Sequence, residues 1–171
     1  MKKIARVLGI VIIATLIGSI PALAINFNQD KFTQEETEYM MFTLINMQSM
    51  MQTLNNLDQL FPKCPDPLDT KRYQEWYYAM HIQFQAIEAI GNEFIGNTNI
   101  PKYFSKIDKE YRACLDNLVK AAQYFDAGYQ SLNPEIIKKG LPYWTEGCNQ
   151  FGKIVPAFIK LLEDKNGGPL M

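Results

Sequence analysis

Apolar residues return every three or four positions through four separate stretches of the chain, and each stretch is bounded by residues that stop a helix. In the first, Met40, Leu44, Met47, Met51, Leu54 and Phe61 form one stripe, broken only by Asp58. Thr33 to Glu36 supplies a capping box at its start. The segment FPKCPDP, with Pro62, Pro65 and Pro67, ends it, because proline lacks the amide proton and clashes with the preceding turn.

The second stripe follows Asp66-Pro67, a cap residue with proline at the first helical position. It runs through Tyr73, Tyr77, Met80, Phe84, Ile87 and Phe94, with Gly91 in the remaining slot, and stops at GNTNIP. A third helix is expected from Pro101 to Leu132, with Phe104, Ile107, Tyr111, Cys114, Leu118, Phe125 and Leu132 facing inward. Asn133-Pro134 then repeats the cap-plus-proline signal. The fourth stripe, Ile137, Leu141, Trp144, Cys148, Phe151, Val155, Phe158 and Leu162, keeps its phase across Pro142 and Pro156, which predicts one kinked helix and not two.

Helices of about 27 to 31 residues, roughly 40 to 45 Å long, joined by short connections, favour antiparallel neighbours. The expected fold is all-α, an up-down-up-down four-helix bundle spanning 25–165, with 166–171 as a disordered tail. No alternating strand pattern competes with it.

Ahead of these helices, Met1 to Ala24 has a basic start at Lys2, Lys3 and Arg6, an apolar run from Leu8 to Ile20, and Ala22-Leu23-Ala24 at its close. That is the layout of a signal peptide cleaved after Ala24. The alternative is a retained membrane anchor, since Ile4 to Ala24 is long enough to span if Arg6 snorkels. Either way the body is expected to be exported, into the periplasm or out of the cell. Cleavage removes three of the 17 Lys and Arg and none of the 18 Asp and Glu, leaving a mildly acidic chain. Without a basic patch, nucleic acid is a poor partner. The densest basic run, Lys102 to Arg112, also holds Asp108 and Glu110 and is expected to be a solvated helix face.

An oxidising compartment gives the cysteines meaning. Cys114 and Cys148 lie at nearly equal heights on either side of the turn near residues 132 and 133, both in inward slots, and Gly147 removes a side chain that would hold the backbones apart. A Cys114–Cys148 disulfide is expected, worth very roughly 3 to 4 kcal/mol for its loop of about 35 residues. Cys64 sits in the first connection, on the order of 25 Å along the bundle from Cys114. It is expected to stay a thiol, or to bond another molecule.

His81 is the sole histidine, and no nucleophile elbow, phosphate loop or HExxH is present, so an enzyme is not expected. Trp76, Tyr77, His81 and Trp144 belong to an aromatic-rich set whose width could open a pocket for a small apolar ligand. Met47 and His81 fall at matching heights on the first hairpin, which raises an alternative: a non-covalent haem b or copper carrier with those two as ligands. Met40, Met41, Met47, Met50 and Met51 are otherwise read as packing. The leading expectation is a non-enzymatic bundle of the cell envelope, without a cofactor, that binds a protein partner or a small apolar ligand.

Overall fold

The structure, a computed structural model, describes residues 28–170, and the expected signal peptide lies outside them. Those residues form four long helices and no strand: α1 (Gln34–Leu60), α2 (Thr70–Gly96), α3 (Ser105–Gln130) and α4 (Pro134–Asn166). Short 3-10 turns at Gln29–Lys31, Phe61–Lys63 and Lys102–Phe104 precede or join them.

The boundaries follow from local chemistry. Thr33 caps α1 with both halves of the box made: Glu36 N–H donates to Thr33 Oγ1 at 3.2 Å and Thr33 N–H to Glu36 Oε2 at 2.9 Å. α2 starts three residues later than expected. Asp66 instead accepts from the Leu68 amide at 3.0 Å, closing a turn over Pro67, and Asp69 becomes the cap. Asn133 caps α4 with Pro134 behind it, and α4 runs unbroken through Pro142 and Pro156 to Gly167, which closes it at φ 83°.

Two expectations fail, an inward-facing Leu132 at the α3–α4 turn and a disordered tail. Leu132 adopts φ 54° and is 45% exposed, because the chain reverses there and the Asn133 amide returns to the Gly128 carbonyl at 2.9 Å. In the segment expected to be a loose tail, Leu170 folds back and is buried.

Helix directions alternate. Asn56 meets Gln83 and Asn46 meets Ile90 between α1 and α2; His81 meets Asp126 and Arg112 meets Ile95 between α2 and α3. α3 and α4 come closest, because glycines sit at their contact. A Cβ on Gly147 would stand 2.8 Å from Leu118 Cδ2, and one on Gly140 2.7 Å from the Phe125 ring. Aromatic rings close α1 onto α4: Phe61 meets Trp144 edge-on at 5.9 Å, and Tyr39, Phe104 and Phe158 form a relay at the other end. There the Lys165 ammonium pairs with Glu36 and lies 4.2 Å from the Tyr103 ring centre.

Candidate functional site

The residues expected to line a pocket are divided between the core and its edge. Trp144 is fully buried between Phe61 and Phe125, and its Nε1 has no hydrogen-bond partner. Trp76 donates to the Leu60 carbonyl at 2.8 Å and packs edge-on against Tyr129. Tyr77 and His81 stay together, at the half-exposed seam between α2 and α3, where both reach Asp126 Oδ1, at 3.0 and 2.8 Å.

The same placement bears on the metal and haem alternative. Met47 is 1% exposed among Met40, Leu44, Met51 and Leu54, in a filled interior. His81 is instead engaged with Asp126 on α3. An axial pair must face one shared cavity, whereas Met47 lies in the buried stripe of α1 and the His81 ring is turned to Asp126 at the α2–α3 seam. Met40 and Met50 are also fully buried, whereas Met41 points outward. Among the described residues no group of three or more His, Cys, Asp or Glu is placed to hold a metal ion.

All three cysteines are buried, and no disulfide joins them here. Cys114 Sγ lies 3.2 Å from the Gly147 carbonyl, so the α3 and α4 thiols are at one height. Burial raises both thiol pKa values, with the nearby Cys148 adding to the effect at Cys114; that of Cys148 reaches about 12. Cys64 Sγ lies 3.7 Å from the Pro65 carbonyl, in the first connection.

A buried polar network was not anticipated. Asp108, expected on a solvated face, is 3% exposed; it accepts from Tyr39 at 2.8 Å and from Arg112 Nε at 2.6 Å. Arg112 also donates to the carbonyls of Ile95 and Asn97, at 2.6 and 2.5 Å, closing the end of α2. Burial and the neighbouring Asp108 push the Tyr39 hydroxyl pKa upward, which keeps its proton available to donate. The available signal was the four-residue spacing of Asp108 and Arg112. This network pins three elements together.

The surface shows a different asymmetry. From Tyr39 to Leu57, 19 consecutive residues of α1 carry no charged side chain. Its outward line is Met41, Ile45, Gln48, Gln52 and Asn55. On α2 only the middle of the outward line, Tyr78, Ile82, Gln85 and Ala89, is neutral, bounded by the exposed Glu75 and Glu93; Glu88 turns toward Gln123 on α3. Of the eight large hydrophobic residues exposed among the described ones, six lie on this hairpin or its ends: Met41, Ile45, Leu68, Tyr78, Ile82 and Ile95. The outer faces of α3 and α4 carry Lys106, Lys109, Asp116, Lys138 and Lys153.

The chain matches no protein-family model, no curated protein and no solved structure. Among the described residues no helix is long and apolar enough to cross a membrane.

Proposed function

We propose that the protein is an exported, non-enzymatic up-down-up-down bundle that binds a protein partner through the outer face of the α1–α2 hairpin. The observation that carries this reading is the uncharged face itself. A monomer's surface ordinarily intersperses charges, and interface centres are depleted of them while keeping exposed apolar anchors. Met41, Ile45, Tyr78 and Ile82 would supply the anchors, and the Gln and Asn side chains the hydrogen bonds around them. A protein partner is favoured over a small apolar ligand because the aromatic residues that could have opened an interior pocket fill the space between the helices. The leader-like Met1 to Ala24 supports export.

The test places a photo-crosslinking amino acid at Ile45, Ile82 or Lys153 in the exported chain. Discrete adducts from the first two positions, absent from the third and lost in an Ile45→Lys, Ile82→Lys double variant that keeps its helical circular dichroism, are expected. Equal labelling from all three positions would overturn the reading.

A further inference from the structure

On the opposite half of the molecule, the close approach of α3 and α4 leaves a groove of about 500 Å³. It is lined by Ala127 and Ile136 and by Tyr124 and Tyr143, whose rings stack on each other, 9° from parallel with centres at 5.9 Å. Gly140 sets this geometry, because a Cβ there would stand 2.9 Å from Tyr124 Cβ. Gln123, Lys120 and Lys139 complete the lining, which contains no carboxylate.

The two lysines are not equivalent. Lys120 is already paired, 2.6 Å from Asp116 Oδ2, and its ammonium lies 5.9 Å from the Tyr143 ring centre. On α4 the neighbouring Lys138 takes Glu135 at 2.6 Å, so the nearest acid on that turn is engaged elsewhere. Lys139 has no ion-pair partner among the described residues. The groove therefore offers one uncompensated positive charge beside an aromatic wall and an apolar floor.

We propose that it is a binding site for a small planar organic monoanion of the aromatic carboxylate class. The ring packs against the exposed side of the Tyr124–Tyr143 pair over Ala127 and Ile136, and the carboxylate meets Lys139. A divalent anion would leave one charge unmatched. A neutral ring would leave the ammonium without its partner.

The probe is 2-naphthoate, titrated into the whole folded chain and followed by amide chemical shifts, with acetate and 2-naphthalenemethanol as the charge-only and ring-only controls. Saturable binding with shifts confined to residues 120–127 and 136–143 is expected, about tenfold tighter than either control. Lys139→Glu should weaken it by at least about tenfold, and Tyr143→Leu should weaken 2-naphthoate while leaving acetate unchanged. Lys153→Glu, an exposed charge reversal further along α4, should change nothing. Equal binding of either control, shifts mapping to the α1–α2 face, or an undiminished Lys139→Glu variant would each overturn the proposal. Because the groove and the α1–α2 face share no residue, its failure leaves the partner-binding reading standing.

Discussion

The hydroxyl of Tyr111 on α3 donates to Oδ1 of Asn46 on α1 at 2.7 Å, and Asn46 Nδ2 in turn donates to the Ile90 carbonyl on α2 at 2.9 Å. A single buried amide thus joins three helices. Tyr111→Phe strands the amide oxygen, at an expected cost of about 1 to 2 kcal/mol. Asn46→Leu strands the phenol instead, with a similar or larger loss. The double variant is expected to cost less than the two losses added, since removing both partners leaves no orphan between them. A double-mutant cycle by urea unfolding measures this, and strict additivity would show that the two residues do not act as a pair.

Two carboxylates on α1 titrate in opposite directions and separate on a pH profile. Burial opposes ionisation of Glu36, but the Lys165 ammonium and the Thr33 amide outweigh it and hold the carboxyl below its ordinary 4.5. Its contribution is present above pH 4.5 and is lost as the pH falls through the lower folded value. Asp58 is the reverse: burial raises its pKa above 3.8, and its Oδ1 has no hydrogen-bond partner. Its penalty is full at neutral pH and disappears on acidification. Asp58→Asn should therefore raise Tm at pH 7 but not near pH 3, whereas Glu36→Gln should lower it at pH 7 and flatten the acid limb.

The α3–α4 turn stores backbone strain. A leucine at φ 54° pays roughly 1 kcal/mol that glycine does not, and Leu132 recovers little of it while 45% exposed. Leu132→Gly is expected to stabilise slightly, by a few tenths to about 1 kcal/mol. Gly140→Ala should do the opposite, by about 1 to 3 kcal/mol, because Phe125 and Tyr124 leave no room for the new methyl. Thermal melts of the two variants should move in opposite directions.

The helices were legible because each stripe buries on one face and each end carries its own chemistry; Thr33 and Asn133 behave as their spacing implies. Boundaries slipped where a second residue offered the same cap, as Asp69 does beside Asp66. Periodicity gives a phase, not the path of the chain, so Leu132 in phase still turned outward. The candidate site was less legible for the same reason. His81 and Met47 match in height, but height does not fix which neighbouring helix a side chain meets, and Asp126 on α3 holds the imidazole. Partnerships such as Arg112 with the Ile95 and Asn97 carbonyls depend on two helix ends meeting, which no local pattern encodes.

Cys114 and Cys148 give the last prediction. Their burial at a common height, with Cys114 Sγ at the Gly147 carbonyl, supports the expectation that oxidation in an export compartment closes a bridge there. Burial raises the thiol pKa values, to about 12 at Cys148, so a reduced native chain would alkylate slowly at neutral pH even with no bridge. Labelling must therefore be done in denaturant. Intact mass of the exported chain alkylated before and after reduction should show one label, then three, on a chain beginning at Ile25, and reduction should lower Tm. Three labels before reduction would mean that the bridge does not form in vivo, leaving Cys114 and Cys148 as small core residues and the α3–α4 contact to its glycines. A mass retaining Met1 to Ala24 would instead make the leader an anchor, holding the bundle at the membrane that its neutral α1–α2 face would then work beside.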